Sequence, residues 1–180
     1  MSDENKVMKL LSNEKTVRNG FDLLVKLYSE KLYWQIRRIV LTHEDADDVL
    51  QNALVKAWIN IGSFESKSKI STWLSRIAIN EAIDFIRKKH KSDTVSADEN
   101  DVISSQLMAD NYFDGDQTQA LLQEAISSLP AVQRAVFNMR YFEEMKYSAM
   151  SEILGTSEGA LKASYHLAVK KIEAFFNEHD

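Results

Sequence analysis

The sequence predicts an all-α protein: two small helical domains joined by an acidic flexible linker, the second a helix-turn-helix domain. Three observations carry this expectation. One proline and five glycines in 180 residues leave little of the turn chemistry that a strand-rich fold needs. Apolar residues recur at three- and four-residue steps through most of the chain. Charge falls in blocks: residues 1–91 hold 16 basic and 12 acidic groups, residues 92–119 hold seven acids and no base, and residues 120–180 hold six bases and eight acids. The net charge of −5 thus hides a basic first domain behind an acidic linker.

The elements follow in order. Residues 18–41 carry Phe21, Leu24, Val25, Tyr28, Leu32, Ile36 and Ile39 at helical spacing. After Thr42 and His43, a second helix opens on Glu44, Asp45, Asp47 and Asp48, where negative charge suits a helix N-terminus. Its apolar stripe reads Leu50, Leu54, Ala57, Trp58 and Ile61, and Gly62 with Ser63 end it. A polar loop from Phe64 to Ile70 leads to a third helix, capped by Ser71 or Thr72, with Trp73, Leu74, Ile77, Ala78, Ala82, Phe85 and Ile86 on one side. It runs out in Arg87, Lys88, Lys89, His90 and Lys91, which closes a domain of residues 1–91.

Residues 92–119, rich in Asp, Ser, Asn and Gln, read as the linker, with a short helical turn around Ile103–Met108. The second domain, residues 120–180, starts with Leu121, Leu122, Ala125, Ile126 and Leu129. Pro130 opens a helix through Met139 to Phe142. A short helix around Tyr147–Leu154, a turn at Gly155-Thr156 and a final helix from Ser157 or Glu158 to Phe176 complete the chain.

Composition and motif searches exclude several classes. Without cysteine there is neither a disulfide framework nor a thiolate metal site, and a reducing compartment, the cytoplasm, is the expected location. The acidic start MSDENKVMKL has no apolar h-region, and no apolar run approaches the ~18 residues of a membrane span, so no membrane insertion is expected. The histidines at 43, 90, 166 and 179 lie far apart, and the acidic cluster 44–48 with Gln51 matches no metal loop. That cluster suits a helix start or an acidic surface for a protein partner. There is no glycine-rich phosphate loop and no nucleophile elbow. No cofactor, metal or catalytic residue is therefore expected, and the protein is not expected to be an enzyme.

Two constellations point to nucleic acid. Met150, Ile153 and Leu154, then Gly155, Ser157 as N-cap, and Leu161, Tyr165, Ala168 and Ile172 form a helix-turn-helix pattern. The outward face of its second helix carries Lys162, Ala163, His166 and Lys170, with small Gly159 and Ala160 at the leading end. A helical hairpin with a solvated basic face is an equally good reading of the pattern alone. From Lys67 to Lys91, seven bases face Glu81 and Asp84, with Phe64 and Trp73 interleaved. Basic groups with aromatic platforms suit single-stranded nucleic acid. Bases at a helix C-terminus and a core tryptophan are the plain alternative.

Four segments in order, DADDVLQNALVKAW (45–58), STWLSRIAINEAIDFIRKK (71–89), LPAVQRAVFNMRYFE (129–143) and YSAMSEILGTSEGALKASYHLAVKKI (147–172), resemble the extracytoplasmic-function (ECF) sigma factors of bacterial RNA polymerase. The resemblance runs from about residue 20 to residue 176, the linker excepted. It implies a non-catalytic subunit that binds core RNA polymerase and promoter DNA, both duplex and melted strand, with an anti-sigma factor as a further partner. On this basis residues 1–91 are a region 2-like domain and residues 120–180 a region 4-like domain. Asp45, Asp48, Gln51 and Trp58 would line the contact with the polymerase clamp. The loop 62–71 and the helix 72–89 would open and hold the −10 element through Phe64, Ser66, Lys67, Lys69, Trp73, Asn80, Asp84, Arg87, Lys88 and Lys89. Ser157, Glu158, Gly159, Lys162, Ala163, His166 and Lys170 would meet the −35 element.

The chain departs from the family at Glu65 and Ser66, where many members have a basic or glycine pair. It departs again at Ser164, Leu167 and Val169, where many repeat arginine. Two promoter elements about two helical turns apart lie near 70 Å, whereas a flexible 28-residue linker averages about 30 Å. Holding the domains at that span needs a scaffold, which polymerase would supply. The competing readings are a stand-alone helix-turn-helix regulator and a helical protein-interaction adaptor.

Overall fold

The computed structural model describes residues 2–92 and 117–179, and every regular element among them is helical. The first unit comprises α1 (Asp3–Leu11), α2 (Val17–Val40), α3 (His43–Asn60), a 3-10 turn at Ile61–Ser63, and α4 (Ile70–Ser92). The second comprises α5 (Gln117–Ser127), α6 (Ala131–Tyr141), α7 (Tyr147–Leu154) and α8 (Glu158–His179).

In the first unit α2 is the central helix, packed by α1, α3 and α4. Its stripe is the expected one: Leu24, Leu32, Ile36 and Ile39 are buried. Leu41 ends it in a left-handed conformation, φ 77°, and Thr42 caps α3 by accepting the Asp45 N–H at 3.2 Å. α1 is an addition to the elements expected from sequence. Ser2 caps it, Asp3 and Glu4 sit in its first turn, and Val7 is fully buried. Its close approach to α2 requires Gly20, where a Cβ would lie 2.9 Å from both Leu10 Cβ and the Leu11 nitrogen.

Several expectations are corrected. α3 turns Ala46, Val49, Ala53 and Ala57 inward rather than Leu50, Leu54 and Trp58. Three alanines let the α3 backbone approach its neighbours closely, so the small face goes to the core and the bulky stripe is left at its margin. α4 begins at Ile70, with the N–H groups of Thr72 and Trp73 donating to the Lys69 carbonyl, so Ser71 and Thr72 are already helical. α4 also extends through Ser92 and α5 starts at Gln117, so both ends of the 92–119 segment belong to helices. The turn expected at Ile103–Met108 lies outside the described residues.

The second unit has a core of Ala125, Ile126, Leu129, Phe137, Ala168 and Ile172. Its other face joins the first unit: Ala135, Val136, Met139, Met150 and Ile153 belong to one apolar cluster with α2 and α4. Polar side chains frame this contact. Arg134 donates to the Ile39 carbonyl at 2.6 Å and Asn138 to the Arg38 carbonyl at 2.9 Å. In return, Asn80 of α4 donates to the Ile153 carbonyl at 3.1 Å. Gln35 donates to Glu143 at 2.6 Å while accepting from Ser75 at 2.9 Å. Burial lowers the Arg134 pKa to about 10, which leaves the guanidinium charged at neutral pH and aimed at the negative end of α2.

Candidate nucleic-acid interface

The second unit contains the helix-turn-helix. Gly155 ends α7 at φ 63°, its N–H donating to the Ser151 carbonyl, and Ser157 caps α8 by accepting the Ala160 N–H at 3.2 Å. Met150, Ile153, Leu161, Ala168 and Ile172 are buried, which fixes the facing of α8. Ser157, Glu158, Gly159, Lys162, Ala163, His166 and Lys170 are all exposed, so the expected recognition face is free of the core. Lys162 lies over the Tyr147 ring at 5.6 Å.

In the first unit, the loop after α3 is anchored by the Phe64 and Trp73 rings, with centroids 5.2 Å apart. Both rings are half-buried, so each is a support for the loop before it is a platform for a base. Between them Glu65, Ser66, Lys67 and Lys69 are exposed, and Ser66 holds φ 57°. Lys67 is paired with Glu65, which lowers the positive field of the loop.

Along α4 the expected −10 residues divide. Asp84, Arg87 and Lys88 are exposed, with Asp84 and Arg87 3.9 Å apart. Asn80 is engaged twice, donating to the Arg76 and Ile153 carbonyls. Lys89 is paired with Asp45 at 2.9 Å, which joins the start of α3 to the end of α4. Asp45 is therefore mostly a bracing group, its side chain only 18% exposed.

The rest of the α3 surface is open. Asp48, Gln51 and Trp58 are exposed, and so are Val55 and Ile59, at 57% and 72%. Val55 and Ile59 were missed by sequence reasoning, although their apolar character in a helix whose alanines fill the core was a usable signal. Tyr141 and Leu167 are also exposed on the second unit. Trp58 rests edge-on against Phe21 at 5.0 Å, which holds the indole on the surface.

Among the described residues there is no cluster of metal-ligating side chains and no helix long and apolar enough to cross a membrane. The geometry defines a helical protein with a helix-turn-helix in one unit and a basic, loop-fronted helix in the other. Residues 24–92 match the family model for sigma-70 region 2, and residues 119–172 match that for sigma-70 region 4. The chain is 33% identical over 158 residues to the ECF RNA polymerase sigma factor SigW of Bacillus subtilis, covering 83% of this chain and 84% of that protein. It is 28% identical to Bacillus subtilis SigM, over 87% of this chain and 94% of that protein. The fold is similar to CnrH solved in complex with the cytosolic domain of CnrY (TM-score 0.70, 20% identity, 99% of both chains). It is also similar to RpoE in complex with the anti-sigma factor NepR from Bartonella quintana (TM-score 0.66, 21% identity, 87% of this chain and 96% of that one).

The chain belongs to the ECF RNA polymerase sigma factors. It is an alternative sigma factor that partners core RNA polymerase and promoter DNA and directs promoter-specific transcription initiation.

Proposed function

We propose that the first unit opens and holds the −10 element, that the exposed face of α3 docks on polymerase, and that α8 meets the −35 element. The observation that carries this reading is the exposed loop 65–69, held by the Phe64–Trp73 pair at the head of α4. From Thr72 to Arg87 the helix rises about 22 Å, roughly six base steps at 3.4 Å each. The loop and the basic end of α4 therefore suit opposite ends of one short element. The loop captures a base turned out of the stack, and Asp84, Arg87 and Lys88 follow the backbone upstream. Extruding a base costs a few kcal/mol, which the loop offsets by hydrogen bonding and stacking.

On α3, Asp48 and Gln51 flank apolar Val55 and Ile59, an arrangement suited to a protein partner with basic and apolar groups. An anti-sigma factor completes the set of partners: CnrH and RpoE, which share this fold, were each solved as complexes. The site of action is the cytoplasm, where polymerase works, and the role is non-catalytic.

Permanganate footprinting on a holoenzyme–promoter complex tests the loop. Ser66→Pro forces φ toward −65° at a residue that holds φ 57°, so it breaks the loop while leaving the buried core untouched. Wild type is expected to give reactive thymines near the start site, and Ser66→Pro to bind core polymerase without them. Replacing the exposed Lys88 by alanine is expected to weaken binding across sequences, because this group meets phosphate. Equal opening by the Ser66→Pro variant would make the loop a mere connector.

A further inference from the structure

The outward face of α8 is divided along its length. At about 3.6 residues per turn, Lys162, His166 and Lys170 fall on one flank, and Ala160, Ala163 and Leu167 fall on the other. All six are exposed. Leu161, Ala168 and Ile172 are buried on the opposite side of the helix and fix this facing. One flank is therefore basic and the other apolar.

Leu167 is the unusual member. Its side chain is 49% exposed in the middle of α8, whereas Leu161, Val169, Ile172, Phe175 and Phe176 of the same helix are buried or half-buried. Leucine has no donor for a phosphate or for a base edge, so all it offers is contact with apolar surface. From Gly159 to Leu167 the helix rises about 12 Å, close to the width of the major groove. A helix entering that groove by its N-terminal end thus still has Leu167 among the base edges. The apolar group found there is the C5-methyl of thymine. Ala160 and Ala163 precede Leu167 on the same flank and end at Cβ, which lets the helix come close enough for Leu167 to reach such a methyl.

We propose that Leu167, with Ala163 beside it, reads the methyl of a thymine in the −35 element, while Lys162, His166 and Lys170 hold the helix on the backbone. The inference rests on the assignment of α8 to the −35 element and names the chemistry by which it selects sequence. An arginine at position 167 would seek guanine O6 and N7 or a phosphate, whereas leucine favours an A·T pair at the same place. A methyl contact involves no ion, so this part of the recognition survives salt that screens the lysines.

Holoenzyme assembled from core RNA polymerase and the full chain serves to select duplexes from a randomised library. Hydroxyl-radical footprinting of an enriched duplex locates the upstream box, and each thymine in it is then replaced in turn by deoxyuridine. That replacement removes the methyl and keeps every hydrogen-bonding group. At one position it is expected to weaken holoenzyme binding about fourfold, the loss of about one buried methyl group. Leu167→Ala is expected to bind the thymine and deoxyuridine duplexes equally, and Leu167→Arg to enrich G·C at that position. Half of the Leu167 side chain already lies in solvent, so both variants are expected to keep their helical content by circular dichroism. Wild-type binding that ignores the methyl at every position, or a box without thymine, would overturn the methyl contact and leave the −35 assignment standing. A Leu167→Ala variant that keeps the full preference for thymine would overturn the role of Leu167. An enriched duplex with no protected upstream box would overturn both the inference and the −35 assignment.

Discussion

Glu143 illustrates how a single residue ties the units together. Burial pushes its carboxyl pKa above the ordinary value, while the Gln35 hydrogen bond and the Lys31 and Arg38 charges oppose the shift. A raised pKa means that the folded chain binds this proton more tightly than the unfolded one. Its contribution therefore favours folding at low pH and is lost as pH rises from the ordinary glutamate range through the raised value. Glu143→Gln keeps the size and an acceptor for Gln35, and it is expected to flatten that part of a denaturation-versus-pH curve. An unchanged slope would show that the carboxyl titrates in water. Gly20 acts through space rather than charge. Alanine there would normally favour a helix, yet its Cβ would strike the Leu11 backbone at 2.9 Å. Gly20→Ala is expected to cost about 1–3 kcal/mol in urea denaturation, through displacement of α1.

At the scale of elements, α3 carries the clearest division of labour. Its alanine face seals the core, and its opposite face leaves Asp48, Gln51, Val55 and Ile59 exposed. Asp48→Arg is expected to weaken binding to core polymerase by tenfold or more, about 1.4 kcal/mol, with helical content intact. Unchanged affinity in a titration would remove α3 from the polymerase contact. The course of α2, a break beside Thr42 and the Gly155 turn were legible from periodicity and turn chemistry, although the break falls at Leu41 and His43 is already helical. The facing of α3 was not, because hydrophobicity scales favour Leu50, Leu54 and Trp58, while close packing on α2 and α4 favours alanine. Likewise, Lys89 reads from sequence as a phosphate contact, and only the tertiary structure brings Asp45 to it. Of the recognition face of α8, all the expected residues emerge exposed, since helical spacing and one capped turn determine the facing.

The whole molecule combines a well-formed recognition helix with a weak electrostatic footprint. The lysines of the second unit are Lys146, Lys162, Lys170 and Lys171, and Lys171 is already hydrogen bonded to Gln133 at 3.0 Å. Each phosphate neutralised contributes about 0.9 to the slope of log affinity against log salt. The isolated chain is thus expected to bind promoter duplex poorly at physiological salt, with a slope no steeper than about −4. Tight, sequence-specific binding by the free chain would mark a stand-alone regulator. Affinity is expected to come from both units acting together on a scaffold that polymerase supplies. Transcription reconstituted from core polymerase, a promoter-bearing DNA and this chain, with the 5′ ends of the products mapped, tests it most directly. Discrete start sites are expected only when the chain is added, and they are expected to disappear with Asp48→Arg. Start sites identical with and without the chain would contradict it.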